Sequence, residues 1–234
     1  MREVRTRTMV EIKGFLETSF SDWRGKVCSV LFLPACNFRC PYCHNHPLVF
    51  HPEQYANIPL EAILGRLRSL RNWIDGVCLT GGEPSLHTDL PVLVREIKRH
   101  GFLVKLDTNG SNPQKLGSLI EAGGVDFVSM DVKAPLDPFH YSRSTGIPVK
   151  LKPILESIEI LKKGKVDYEF RMTVVPGLHK EKDIQILGDQ LKAGPRFILQ
   201  NFNPENPRDP SLKNIPPYDP KVLKKIEKKV QERG

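Results

Sequence analysis

Short apolar runs alternate with amphipathic segments along most of the chain. Between the runs, apolar residues recur at helical spacing, so that Leu60, Ile63, Leu64, Leu67 and Leu70 fall on one face of a helix. Further helices are expected near 89–101, 113–122, 151–163 and 180–192. The runs themselves are rich in β-branched and aromatic residues and predict six strands, near 26–34, 76–80, 102–108, 125–132, 167–175 and 196–202.

Strands that alternate with helices predict a parallel sheet joined by right-handed crossovers. Such a sheet is either open and doubly wound or rolled into a complete or incomplete barrel. Two Pro-rich stretches, 134–149 and 203–220, are expected to be loops. The chain ends in a Lys-rich helix with one apolar face, formed by Val222, Leu223, Ile226 and Val230. We expect one α/β domain over residues 1–234.

Polar and ionisable residues follow the carboxyl ends of the predicted strands. Active sites of barrels and of open α/β sheets lie at this edge. Each motif alone has an ordinary reading, as a turn or, for Asp131 and Lys133, as an ion pair on one strand. Their joint placement at one edge favours an enzyme. They are the three cysteines of 36–43, TGGEP at 80–84, DTNG at 107–110, MDVK at 130–133, Arg171 with Thr173, and QNFN at 200–203.

Composition narrows the class of protein. The 234 residues are 39% hydrophobic and 26% charged, so a packed core is feasible. A net charge of +8 attracts acidic partners.

Basic residues are not interleaved with aromatic ones and no apolar run is long enough to span a bilayer, so we expect neither nucleic acid nor a membrane as partner. The stretch MREVRTRTMVEIKGF lacks the apolar core of a signal peptide, so we expect a cytoplasmic protein.

Three of the five cysteines lie close together in CNFRCPYCHN, at 36–45. An odd number of cysteines in a reducing compartment argues against a disulfide framework. CPYC is also a glutaredoxin dithiol, which needs a small thioredoxin-like domain, and C-x-x-C-H is a haem attachment signal, which needs export. A zinc site with His44 as fourth ligand stays open. So does a [4Fe–4S] cluster in which three thiolates hold three irons and leave the fourth iron free.

The spacing Cys36-x3-Cys40-x2-Cys43, with Tyr42 before the last cysteine, resembles the signature of the radical S-adenosylmethionine (radical SAM) superfamily. TGGEP after the next strand resembles the motif with which that superfamily binds the methionine amino group. The resemblance spans about residues 11–203 and implies an incomplete (β/α)6 TIM-like barrel of parallel strands. Residues 204–234 would add the Pro-rich loop and the basic C-terminal helix.

The resemblance also implies the cofactors and the residues that meet them. One [4Fe–4S] cluster would be held by Cys36, Cys40 and Cys43, with S-adenosylmethionine on its free iron. An external donor would reduce the cluster, the C5′–S bond would break, and a 5′-deoxyadenosyl radical would take a hydrogen atom from the substrate. No catalytic side chain is implied. Nine residues match positions near the cofactor or a bound cation: Gly81, Gly82 and Glu83 at the methionine ammonium, Tyr42 at the adenine, Lys133 and Arg171 towards the carboxylate, and Asp107, Thr108 and Asp131.

The stretch at 14–45, together with DTNG, MDVK and RMTVVPG, resembles activating enzymes of glycyl-radical enzymes, among them those of anaerobic ribonucleotide reductase and pyruvate formate-lyase. The chain departs from that group at Arg24, where Pro is usual, and at Gln200 and Asn201, where some members place His. The implied partners are a glycyl-radical enzyme, expected to be anaerobic ribonucleotide reductase, and a flavodoxin or ferredoxin as reductant. The alternatives are a radical SAM enzyme for a small molecule, similar to 7-carboxy-7-deazaguanine synthase, and a non-enzymatic zinc or electron-carrier module.

Overall fold

Seven strands form a single sheet whose order follows the chain. The computed structural model describes residues 10–233. The six predicted strands are confirmed and are parallel throughout, which agrees with the expected α/β fold. They are β2 (Cys28–Leu33), β3 (Gly76–Gly81), β4 (Leu103–Thr108), β5 (Phe127–Asp131), β6 (Asp167–Val174) and β7 (Phe197–Asn201).

One strand is absent from the sequence prediction. β1 (Gly14–Ser19) pairs antiparallel with β2 at the edge of the sheet. Its sequence GFLETS has no clear alternation of apolar and polar residues, and most of its residues are only partly buried. The strand therefore forms because it can pair with the free edge of β2. The sequence of the segment alone does not indicate this pairing. Within residues 10–233 no backbone ladder joins β7 to β1, so the barrel is incomplete.

Helices cover the outer face of the sheet, and the five predicted between the strands are present. None of the described helices is long and apolar enough to cross a bilayer. The eight α-helices of the described part of the chain are α1 (His46–Phe50), α2 (Leu60–Ser69), α3 (Leu90–Arg99), α4 (Pro113–Glu121), α5 (Pro138–Thr145), α6 (Leu151–Lys162), α7 (Glu181–Leu191) and α8 (Pro220–Gln231).

The expectation of a loop throughout 134–149 is wrong, because helix α5 lies inside it. Asp137 caps the helix by accepting hydrogen bonds from the backbone amides of Phe139 and His140, and Pro138 occupies the first turn. The helix ends at Gly146, which adopts a left-handed conformation (φ 70°). These start and stop signals are local, but the helix has only a weak apolar periodicity between them.

The two faces of the sheet differ in chemistry. Leu31, Leu79, Leu106 and Val128 are in register on the outer face and are buried beneath the helices. The inner face begins at its amino end with a small apolar cluster of Trp23, Cys28, Val30 and Cys78. Towards the carboxyl end the inner face becomes polar. Parallel strands buried on both faces explain why the predicted strands read as continuous apolar runs.

Helix α8 protects the edge strand β7. The Leu199 amide donates to Oε1 of Glu227 at 2.8 Å, and Nε2 of Gln231 donates to the Phe197 carbonyl at 2.8 Å. Both partners are side chains of α8, so the helix satisfies backbone groups that an edge strand leaves unpaired. Of the predicted apolar face, Leu223, Ile226 and Val230 are buried, whereas Val222 is 49% exposed.

Replacing Ile226 should therefore loosen the edge of the barrel. We expect Ile226→Ala to lower the free energy of unfolding by about 2–5 kcal/mol, the usual effect of truncating a buried Ile. Val222→Ala in the same helix is the matched control and should change it by less than about 0.5 kcal/mol. Urea denaturation measures both, and equal effects of the two substitutions would contradict the proposed docking of α8.

Candidate active site

The loop that carries the three cysteines, residues 34–45 (the cysteine loop), rests on the carboxyl end of β3. The Gly82 amide donates to the Leu33 carbonyl and the Glu83 amide to the Ala35 carbonyl, both at 2.7 Å. Nδ2 of Asn45 closes the loop by donating to the Gly81 carbonyl at 2.7 Å. These contacts bind both ends of the loop to a single strand end.

Glycine is required where β3 meets the cysteine loop. Gly81 has a φ of 111°, and a Cβ atom there would lie 2.5 Å from the Leu33 carbonyl oxygen. A Cβ atom on Gly82 would lie 1.8 Å from the carbonyl oxygen of Ala35. Ala35 itself has a φ of 62°, which is unusual for a residue with a side chain. The Gly-Gly pair therefore does more than turn the chain, because it admits the loop.

The cysteine loop and the strand ends enclose one cleft of about 210 Å³. The cleft brings together every residue that the sequence analysis assigns to the site. These are Cys36, Cys40, Tyr42, Cys43, Gly81, Gly82, Glu83, Asp107, Thr108, Asp131, Lys133 and Arg171. His44, Asn45 and Asn109 also line it.

The three thiols of the loop are free and face this cleft. Burial raises the pKa of Cys36 and of Cys40 to about 11, so metal binding here would release protons. Within residues 10–233 no three His, Cys, Asp or Glu side chains converge closely enough to hold a single ion. Three thiols around one cleft suit a cluster, in which each thiolate binds a different iron. The donor set therefore fits a [4Fe–4S] cluster.

A row of alternating charges, buried at Lys105 and Asp107 and half-buried at Asp131, Lys133 and Arg171, crosses the inner face below the loop. Arg171 lies between two carboxylates, with Nη1 3.1 Å from Oδ2 of Asp107 and Nε 2.9 Å from Oδ1 of Asp131. Lys133 Nζ lies 2.9 Å from Oδ2 of Asp131. Burial opposes the charge on Asp131, but Arg171 and Lys133 outweigh it and hold the pKa of Asp131 well below its usual range. The predicted ion pair of Asp131 and Lys133 is thus present as part of a longer row.

Lys105 completes the row and was missed by the sequence analysis. Its side chain is buried beside Cys78, contacts Asp107, and has a raised pKa because the pairing with Asp107 outweighs the effect of burial. The row thus contains three cations, Lys105, Arg171 and Lys133, and two anions, Asp107 and Asp131. A lysine inside the apolar run FLVKLDT was the available signal, since a buried lysine needs a partner.

Glu83 is buried rather than solvated. Its Oε1 accepts hydrogen bonds from the Ser85 amide at 3.0 Å and from Oγ1 of Thr108 at 2.7 Å. Its Oε2 accepts one from the Asn109 amide at 2.6 Å. Burial raises the pKa of Glu83, and these donors oppose that effect. The carboxylate thus joins the ends of β3 and β4 and keeps part of Oε2 for a further donor.

Tyr42 lines the cleft and packs against a buried histidine behind it. Its ring meets that of His179 edge-on, with centroids 6.1 Å apart. Nε2 of His179 pairs with Ser144 Oγ at 2.9 Å, and Nδ1 accepts from the Val175 amide at 3.1 Å. Burial lowers the pKa of His179 from 6.5 to about 4.

Two of the residues at which the chain departs from activating enzymes, Gln200 and Asn201, lie on β7 and make no contact with the cleft. Asn201 pairs with the backbone of Tyr218, donating from Nδ2 at 2.6 Å and accepting at 3.2 Å. Gln200 is exposed. This edge therefore serves the packing of the C-terminal segment on β7.

Comparison with known proteins identifies relatives of this arrangement. Residues 30–188 match the model of the radical SAM superfamily. A candidate glycyl-radical enzyme activating enzyme of Methanocaldococcus jannaschii is 35% identical, over 88% of this chain and 85% of its own length. A candidate GTP 3′,8-cyclase of Thermococcus kodakarensis is 32% identical, over 74% of this chain and 55% of its own length.

Solved structures share the fold at low identity. SuiB of Streptococcus suis superposes with a TM-score of 0.62 and 19% identity, over 87% of this chain and 45% of its own. SuiB has also been crystallised with S-adenosylmethionine bound. Archaeal TYW1 superposes with a TM-score of 0.52 and 17% identity, over 88% of this chain and 72% of its own.

The close approach at Gly82 generates a direct test. We expect Gly82→Ala to lower the free energy of unfolding by about 3 kcal/mol and to reduce iron uptake on anaerobic reconstitution, because the new Cβ atom collides with backbone. Gly65→Ala in α2 is the control, since its nearest neighbour would be Arg68 at 3.7 Å, and it should stabilise the protein by up to about 1 kcal/mol. Similar stability and iron content in both variants would show that Gly82 is not needed for close packing.

The buried His179 should make stability depend on pH. Its pKa of about 4 in the folded state lies below the 6.5 of the unfolded state, so the unfolded chain binds the proton first as pH falls. Between pH 7.5 and pH 5 this costs about 2 kcal/mol of stability. His179→Asn, which keeps an acceptor for the Val175 amide, should lose less over that range in urea denaturation. Identical pH dependence of the two proteins would contradict the assignment.

Proposed function

This chain belongs to the radical SAM superfamily, and we propose that it is the activating enzyme of a glycyl-radical enzyme. The superfamily uses a [4Fe–4S] cluster and S-adenosylmethionine, so the chain is a radical SAM enzyme. The observation that carries the finer proposal is the relative of M. jannaschii, a candidate activating enzyme that matches nearly the whole length of both chains.

We assign the cluster to Cys36, Cys40 and Cys43, whose thiols share the cleft with the proposed S-adenosylmethionine site. When bound, and with the cluster reduced by an external donor, cluster and S-adenosylmethionine together would supply a 5′-deoxyadenosyl radical. The protein itself positions the cluster and S-adenosylmethionine relative to each other. Its buried cleft keeps water and stray hydrogen donors away, and both ends of its loop are bound to β3.

The remaining site residues are proposed to hold S-adenosylmethionine. Oε2 of Glu83, which keeps room for one more donor, would accept the methionine ammonium beside Gly81 and Gly82. The positive charges of Lys133 and Arg171, which both line the cleft, would favour the methionine carboxylate. Tyr42 is the proposed neighbour of the adenine. Thr108, Asp107 and Asp131 act by holding Glu83, Lys105, Arg171 and Lys133 in place.

The proposed substrate is the α-hydrogen of one glycine on a loop of the partner enzyme. No side chain needs to act as a base, because the glycine loses a hydrogen atom rather than a proton. We propose anaerobic ribonucleotide reductase as the partner, on the resemblance of residues 14–45 to its activating proteins. An acidic flavodoxin or ferredoxin is the proposed reductant, since a net charge of +8 favours an acidic carrier.

A second candidate is a radical SAM reaction on a small molecule. The relative of T. kodakarensis, a candidate GTP 3′,8-cyclase, favours it at 32% identity, but this chain covers only 55% of that protein. We therefore place the glycyl-radical function first.

Radical transfer to the partner decides between the two. We expect the reduced protein with S-adenosylmethionine to produce a doublet glycyl signal by electron paramagnetic resonance (EPR) in anaerobic ribonucleotide reductase. The signal should vanish when the partner's glycine is replaced by Ala. Cys36→Ala should abolish the signal, whereas Cys78→Ala is the matched control and should retain it, because Cys78 lies on the inner face away from the cleft lining.

Two outcomes would contradict the proposal. One is stoichiometric conversion of GTP or another small molecule with no radical on any glycyl-radical enzyme supplied. The other is a glycyl signal that persists in Cys36→Ala, which would place the cluster elsewhere.

A further inference from the structure

The segment after β7 folds back onto the cysteine loop. We call residues 202–214 the strap. The ring of Phe202 packs against that of His44 with centroids 6.4 Å apart, and the Asp209 amide donates to the Pro41 carbonyl at 2.8 Å. Because β7 and β1 are the unpaired edges of the sheet, the strap connects the far edge to the loop that follows β2.

Arg208, an exposed residue of the strap, hydrogen-bonds directly to the cysteine loop. Its Nη1 donates to the carbonyl oxygen of Arg39, which lies between two of the cysteines. Its guanidinium carbon also lies 5.6 Å from the centre of the Phe50 ring, and that of Arg39 lies 4.8 Å from the same ring. Two guanidinium groups therefore share one aromatic ring beside the cysteine loop.

Arg39 links Arg208 to the backbone around the first cysteine. Its Nη1 donates to the carbonyl oxygens of Cys36 at 2.7 Å and Phe38 at 2.8 Å. On the opposite side, its amide donates to the Thr145 carbonyl at 2.7 Å, and a Cβ atom on Gly146 would lie 2.2 Å from its carbonyl oxygen. The peptide groups of Arg39 are thus clamped between the end of α5 and Arg208.

We propose that Arg208 is a positioning residue for the cluster. It fixes the backbone between Cys36 and Cys40 through the Arg39 carbonyl, and it places a positive charge beside the anionic cluster. The inference rests on the proposed cluster at Cys36, Cys40 and Cys43.

The charge has a consequence that can be measured. Reduction adds an electron to the cluster, so a nearby cation stabilises the reduced form and raises the midpoint potential. Loss of the hydrogen bond to Arg39 should separately loosen the loop and speed the removal of iron by a chelator. A residue that served only to pack the strap would leave the potential unchanged.

Three variants of the full chain separate these effects. Arg208→Met removes charge and hydrogen bond, Arg208→Lys keeps the charge but loses the planar fork, and Arg24→Met changes the net charge equally at an exposed turn. After anaerobic reconstitution, EPR-monitored redox titration should give Arg208→Met a more negative midpoint potential than Arg24→Met. Arg208→Lys should stay near the unsubstituted protein. Iron extraction should be about fivefold faster in Arg208→Met, equivalent to about 1 kcal/mol.

Equal potentials and equal extraction rates in Arg208→Met and Arg24→Met would overturn the inference. Faster extraction at an unchanged potential would overturn its electrostatic part. Should the unsubstituted protein bind no iron, the proposed cluster itself fails, which is a distinct result. Since Arg208 is exposed, Arg208→Met should fold, and Arg208→Lys provides the comparison if it does not.

Discussion

The site depends on one close approach between two backbones. The carboxyl end of β3 lies so near the cysteine loop that a Cβ atom on Gly82 would overlap the carbonyl oxygen of Ala35. This contact allows the amides of Gly82 and Glu83 to bind the loop directly. It also brings the cysteines over the strand ends that carry the charged residues. A larger residue at this point would separate the thiols from the rest of the cleft.

Electrostatics on the inner face follow from the same geometry. Removing charged side chains from water is costly, and each ion of the row is stabilised because a partner of opposite charge lies beside it. Arg171 holds the centre, since it contacts both Asp107 and Asp131. One end of the row, Lys105, lies in the apolar interior, and the other, Lys133, opens to the cleft. The row therefore presents a positive charge to the cleft without leaving an unpaired one inside.

Much of this arrangement could be predicted from the sequence because its signals are local. Six apolar runs marked the parallel strands, and the cysteine spacing with TGGEP marked the cleft residues. What could not be predicted depends on contacts between distant segments. Nothing in GFLETS indicates that β2 offers it an edge, and nothing near Arg208 indicates that it meets Arg39. Lys105 and α5 could have been predicted in part. Lys105 is a lysine inside an apolar run, and α5 has a local start and stop signal, but it lies in a Pro-rich stretch with weak apolar periodicity.

The central claim is that Cys36, Cys40 and Cys43 hold a [4Fe–4S] cluster with one iron open to S-adenosylmethionine. Mössbauer spectroscopy of protein reconstituted with ⁵⁷Fe tests it most directly. The account predicts about four irons per chain, one of which changes its isomer shift when S-adenosylmethionine is added. Tight stoichiometric zinc without iron, or a cluster whose spectrum S-adenosylmethionine leaves unchanged, would contradict it.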